Sequence, residues 1–166
     1  MDTSDELRFD RIGDGGSKRL RRQLSRLLGM TSAQASRVAS EALAPLGAAK
    51  AHFVVLAVLD EAGPASQAAL ADRARVYRSD LVAVLNELSE GGWIVRAPDP
   101  DDKRRNTITI TDAGRARLAE IEAVLDGVND RIMAPLSEAE RAQLFSLLGR
   151  VNAHLASSAG GASPAP

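Results

Sequence analysis

A mainly α-helical fold carrying one small β-hairpin is the class this sequence predicts, on three observations. Apolar residues recur at helical spacing over most of its 166 residues. The segments Trp93 to Ala97 and Thr107 to Thr111 read as strands: the first is aromatic and β-branched, and the second alternates Thr with Ile at the strand period. Between them Asp99-Pro-Asp-Asp-Lys-Arg-Arg105 is too charged to pack, so the two strands form a hairpin with a cationic tip.

Taken in order, residues 1–17 are polar, end in Gly13-Asp-Gly-Gly16 and read as a disordered arm. From Lys18 to Ala44, Leu20, Leu24, Leu27, Leu28, Val38, Ala42 and Leu43 keep helical spacing; Gly29 and Thr31-Ser32 leave open whether this is one helix or two. Pro45 and Gly47 close it. Phe53, Leu56, Ala57 and Leu59 stripe a second helix ended by Gly63-Pro64. Ser66 caps a short helix, Gln67 to Arg73, and the tight turn Ala74-Arg-Val76 leads into a helix from Arg78 to Glu90. Its Leu81, Val84, Leu85 and Leu88 face inward, and Gly91-Gly92 terminates it.

After the hairpin, Thr111 caps a helix from Asp112 to about Asn129. Pro135 breaks the chain, and Ser137-Glu-Ala-Glu140 is a capping box in front of Leu144, Leu147, Leu148, Val151 and Leu155. Residues 157–166 are Ser, Gly, Ala and Pro only, a composition expected to form a disordered tail. Two short helices at helix-turn-helix spacing followed by a charged hairpin make a winged helix-turn-helix, a nucleic-acid-binding architecture. The expected organisation is a dimerisation helix region at 18–46, a winged lobe at 47–112 and dimerisation helices at 113–156. The terminal helices carry apolar stripes that so small a lobe cannot cover, hence the expectation of a homodimer.

Composition narrows the function. With 45% hydrophobic residues the chain has material for a core, burying about 68 to 70% of its unfolded surface at this size. Cysteine is absent, which excludes disulfides and thiolate metal sites; with a polar, acidic start and no long apolar run, a cytoplasmic protein is expected. The net charge of −1 gives no general attraction to polyanions, so nucleic-acid affinity has to come from local clusters. Lys18 to Arg26 holds five basic residues, readable as a solvated helix face; Arg73 to Arg78 holds three and Lys103 to Arg105 another three, both beside the candidate reading elements.

Enzymatic readings do not survive. Two histidines without cysteine form neither a triad nor a zinc site, and no metal or cofactor is expected. Asp99, Asp101 and Asp102 lack the glycine and terminal Glu of a calcium loop, and Gly13-Asp-Gly-Gly-Ser-Lys18 lacks the spacing of a phosphate loop.

The segment Glu90-Gly-Gly-Trp-Ile-Val-Arg-Ala-Pro-Asp-Pro-Asp-Asp-Lys-Arg104, together with Asp102, Arg104, Ile110 and Thr111 at the spacing of a wing signature, resembles MarR-family transcriptional regulators. Ala42-Leu-Ala-Pro-Leu-Gly47 and Leu136 to Leu144 are weaker matches, and the likeness runs from about Leu27 to Leu155. It implies a homodimer on pseudo-palindromic double-stranded DNA, most simply a repressor, with the helix from Arg78 to Glu90 in the major groove and the wing residues Lys103, Arg104 and Arg105 in the minor groove. Asp102 would then hold the wing in shape.

This chain departs from the family at the reading helix. Val82 and Ala83 stand where many relatives have Thr and Arg, which leaves thymine-methyl packing to them, adenine reading to Asn86, and phosphate or base contact to Ser79, with Arg78 a further DNA-binding candidate. Arg75 occupies the turn where glycine is usual; either the turn is of another type, the favoured expectation, or strain is accepted, and Arg75 then clamps a phosphate or forms a surface salt bridge. Tyr77 contacts phosphate or packs on the wing. The resemblance also implies a cleft for a small anionic or aromatic effector, with Arg96 and His52 as candidate lining residues, weighed against a phosphate or wing contact for Arg96 and a buried, hydrogen-bonded role for His52. The competing function is a winged-helix protein-interaction module with weak or no DNA binding, supported by the near-neutral charge, Val82-Ala83, Asp80 and Glu87.

Overall fold

The computed structural model describes Arg19, residues 22–98 and residues 106–159. Its helices are α1 (Leu24–Leu43), α2 (Lys50–Ala62), α3 (Gln67–Ala74), α4 (Arg78–Glu90), α5 (Asp112–Ile132) and α6 (Glu138–Ala159). The strands are β1 (Ala65–Ser66), β2 (Ile94–Pro98) and β3 (Asn106–Ile110). The chain divides into two compact units, Met1–Val128 and Asn129–Pro166.

In the first unit α1 runs unbroken through Gly29 and Thr31-Ser32, which settles the choice left open above in favour of one helix. Gly29 has nothing near it that would bend the chain there, and helix hydrogen bonding continues across it. Pro45 then starts a single 3-10 turn, Ala44–Leu46, and Gly47 at φ 58° takes the left-handed conformation that stops it.

The core forms where the inward stripes meet. Leu56 and Leu59 of α2, Leu70 of α3, Leu81, Leu85 and Leu88 of α4, Ile94 and Ile108 of the sheet and Ile121 of α5 are all buried in one cluster. Each such side chain contributes about 1.5–3 kcal/mol when withdrawn from water. Helix α4 is thereby fixed on its inner side by three leucines one turn apart, with its other faces left to solvent.

The sheet has one strand more than the sequence reading proposed. Its order is β1-β3-β2, all antiparallel, with Ala65 opposite Ile108 and Ser66 opposite Thr107. A two-residue strand carries no periodicity, so β1 is recognisable only through its tertiary partner. The long pair registers Ile94 with Ile110 and Pro98 with Asn106, one residue later in β2 and one earlier in β3 than expected. Trp93 is left out of the ladder because its N–H closes the α4 terminus on Leu88 O at 3.0 Å, while its carbonyl accepts from Thr111 N at 3.0 Å.

Thr111 starts α5 as expected: its Oγ1 accepts from Gly114 N at 3.0 Å and donates to Gly92 O at 2.8 Å. In the second unit the capping box is present in full. Glu140 Oε2 accepts from Ser137 N at 2.8 Å and from Ser137 Oγ at 2.7 Å, and Glu140 N reaches Ser137 Oγ at 3.4 Å. These bonds hold the Glu140 carboxyl below its ordinary range, the Ser137 side chain acting most and its backbone next. Arg141 ties the corner before α6, donating to Leu136 O at 3.2 Å and to Asp130 Oδ1 at 2.8 Å.

The expected tail boundary at residue 157 is corrected. Helix α6 continues to Ala159, because Ser157 and Ser158 turn their hydroxyls back onto His154 O at 2.8 and 2.9 Å and so occupy a terminal helix carbonyl. Phe145, at 61% exposure, heads a row of exposed apolar residues on α6 that includes Leu147, Leu148 and Leu155.

Candidate nucleic-acid interface

Helix α4 carries five of the candidate DNA contacts. Arg78, Ser79, Val82, Ala83 and Asn86 are all exposed, and Val82 at 44% is an apolar side chain on the outside of a helix whose leucines are elsewhere fully buried. Successive turns bring Ser79, Val82 and Ala83, then Asn86, onto one stripe. Asp80 lies in the first turn, where the helix dipole favours a carboxylate, and it accepts from Ser79 Oγ at 3.1 Å.

Arg75 corrects the expectation of a different turn type. It caps α3 at φ 52°, ψ 42°, the only non-glycine residue with positive φ among the described residues, with its N–H bonded to Ala71 O. Val76 N also reaches Ala71 O at 3.2 Å, so the pair of bonds that ends α3 demands the left-handed residue whatever side chain stands there. The chain accepts the strain and keeps an exposed guanidinium beside the start of α4. Tyr77, next to it, is 82% exposed.

Behind the stripe, two side chains tie α4 to the scaffold. His52 of α2 is 4% exposed; its Nδ1 accepts from Ala49 N at 3.2 Å and thereby caps α2. The ring proton therefore sits on Nε2, which donates to Glu87 Oε2 at 2.7 Å. Glu87 is thus turned back towards α2 and serves as a brace. Arg96 of β2 donates from Nη2 to Asn86 Oδ1 at 2.8 Å. His52 takes the buried, hydrogen-bonded role weighed above, and the fold joins His52 to Glu87 and Arg96 to Asn86, both on α4.

One arrangement was not foreseen. Arg117 of α5 stacks over Trp93 at 4.7 Å, donates to Leu46 O and pairs with Glu120 at 3.0 Å, while its Nε is buried with no partner. Trp93 also lies 6.4 Å from the His52 ring. Helical spacing marked Leu118 and Ile121 as the inner face of α5, yet nothing in that pattern distinguishes Arg117 from a solvated arginine. Asp102, Lys103, Arg104 and Arg105 lie outside the described residues. Among the described residues there is no cluster of His, Asp or Glu able to hold a metal ion, and no single helix is long and apolar enough to cross a membrane.

Comparison with known proteins agrees with this geometry. The family model described as "MarR family" matches residues 47–105. A Thauera aromatica protein whose name assigns it to transcriptional regulation of the hcr operon is 43% identical over 86 residues, 52% of this chain and 52% of that one. The chain therefore spans about half the length of that relative. It covers 81% of the Mycobacterium tuberculosis HTH-type transcriptional repressor Rv2887, at 30% identity over 112 residues. The crystal structure of Rv2887 in complex with salicylic acid superimposes with a TM-score of 0.64, covering 78% of this chain and 96% of that one at 30% identity. A mutant E. coli MarR complexed with operator DNA gives a TM-score of 0.68 at 29% identity, covering 77% of this chain and 92% of that one. On its helix-turn-helix geometry, its hairpin and these matches, the chain belongs to the MarR family.

Proposed function

We propose that this protein is a DNA-binding transcriptional regulator, a repressor that blocks a promoter as a homodimer on a pseudo-palindromic operator. The observation that carries the reading is the outer stripe of α4, where Arg78, Ser79, Val82, Ala83 and Asn86 stand clear of the core that fixes the helix from behind. In this reading α4 enters the major groove, Arg75 and Tyr77 meet the phosphates at its start, and Lys103, Arg104 and Arg105 reach the adjacent minor groove, with Asp102 shaping the wing. The relative solved with operator DNA supports it.

Dimer formation is supported by uncovered apolar side chains: Leu24 and Leu27 on α1, and Phe145, Leu147, Leu148 and Leu155 on α6. Release by a small anionic or aromatic effector belongs to the proposal and is supported by the salicylic acid complex of Rv2887. Such a molecule releases DNA only by binding the DNA-incompetent arrangement more tightly than the competent one.

The test is a binding titration at two salt concentrations, against duplexes from the region upstream of the gene and from a randomised pool. With about 6 to 10 phosphate contacts, affinity falls by about 10³ to 10⁵ between about 50 and 200 mM salt. A protein-interaction module shows no such slope, and that result overturns the proposal.

A further inference from the structure

Asn86 occupies the last turn of the exposed stripe on α4, and its side-chain oxygen is already engaged by Arg96 at 2.8 Å. A guanidinium only donates, so the carboxamide atom facing Arg96 has to be Oδ1, and the amide nitrogen takes the opposite side. The bond is charge-assisted, stronger than a neutral one, which fixes the amide against flipping. Glu87, the carboxylate next to Asn86, is drawn back by His52 at 2.7 Å and so accepts from His52 while Arg96 serves Asn86. Arg96 itself is set by the sheet, in register with Ile108 of β3.

The base edges respond differently to such a residue. A free asparagine reads adenine with both its atoms, the oxygen accepting from N6 and the nitrogen donating to N7. Guanine offers two acceptors, N7 and O6, to the same approach. An asparagine whose oxygen already gives one lone pair to a guanidinium is a weaker acceptor for a second donor, and the positive charge at 2.8 Å disfavours the amino group of adenine while it favours the two acceptors of guanine. Resting on the DNA-binding reading above, we propose that Arg96 is a positioning residue that converts Asn86 from an adenine reader into a guanine reader, so that each operator half-site carries guanine at the base pair facing Asn86.

The experiment is selection from a randomised duplex pool with the full-length protein, followed by competition with single-base variants of the selected operator. It uses wild type, Asn86→Ala, Arg96→Met and Arg96→Lys, each checked for native helicity. Wild type is expected to prefer guanine over adenine at one position per half-site by on the order of tenfold, and Asn86→Ala to flatten that position alone. Arg96→Met keeps the aliphatic stem but frees Oδ1, and is expected to move the preference at that same position to adenine while the other positions hold. Arg96→Lys, which restores a donor, is expected to return it towards guanine. An adenine preference in wild type, an Asn86→Ala variant that flattens no position, or an Arg96→Met profile unchanged at the Asn86 position overturns the inference while DNA binding stands. Failure of wild type to select any duplex at low salt overturns the DNA-binding reading itself, and this inference with it.

Discussion

Gly114→Ala is the sharpest test of how α5 is seated against the hairpin. A Cβ on Gly114 would lie 2.0 Å from Trp93 O and 2.7 Å from Ile110 Cγ1, so α5 has to retreat by about 1.4 Å to reach ordinary contact with a backbone atom that cannot swing aside. Retreat breaks the bonds from Thr111 N to Trp93 O and from Thr111 Oγ1 to Gly92 O. Two such bonds contribute about 1 kcal/mol each, and overpacking costs about 1–3 kcal/mol. The better helix propensity of alanine offsets about 1 kcal/mol. The variant is expected to lose about 2–4 kcal/mol, on the order of 10 °C in Tm for a chain of this size. Gly127→Ala, in the same helix with open space around it, is expected to gain up to about 1 kcal/mol. Thermal melts by circular dichroism with parallel urea titrations measure both. A Gly114→Ala protein as stable as wild type would refute the close approach, and with it the seating of α5.

Arg75→Gly relieves a left-handed arginine at φ 52°. Release of about 1–2 kcal/mol of strain exceeds the about 0.5–1 kcal/mol of extra chain entropy that glycine loses on folding, so Tm is expected to rise by about 2–4 °C. DNA affinity is expected to fall in the same variant, with a shallower salt slope; a lower Tm would show that the turn does not strain Arg75. Below the ordinary carboxylate range another effect emerges. The Ser137 hydroxyl and amide lower the Glu140 pKa, so the cap contributes to stability above the unfolded value, about pH 4.3, and that contribution is lost as pH falls through the lowered folded value. Helicity and amide protection at the start of α6 are expected to fall through that window in wild type and to show no such step in Glu140→Gln; identical acid profiles would discount the capping box.

Legibility followed the range of the interaction. The Ser66, Thr111 and Ser137 caps were readable because each acts on a residue three positions away, and the Leu81, Leu85, Leu88 stripe because helical geometry alone places it. What escaped depends on distant partners. His52 and Glu87 are separated by 35 residues, and Arg117 reaches Leu46 across 71, so neither pairing leaves a local pattern. Strand β1 is too short to show alternation. Arg75 was misjudged for a different reason: residue preference argued against a left-handed arginine, whereas the two bonds to Ala71 O impose the conformation. Helical spacing shows Asn86 as an outward residue, yet its side-chain partner, Arg96, comes from the neighbouring strand.

The most direct test is a hydroxyl-radical footprint of the full-length protein on its selected operator, with the mass of the complex measured on the same sample. The account predicts two copies of the chain per duplex and protection in two symmetric half-sites about 10 to 10.5 base pairs apart, centre to centre. Minor-groove protection is expected beside each half-site, and Arg104→Ala is expected to erase it while leaving the central pattern. A single copy on the duplex, or protection confined to one groove face without a symmetric mate, would contradict it.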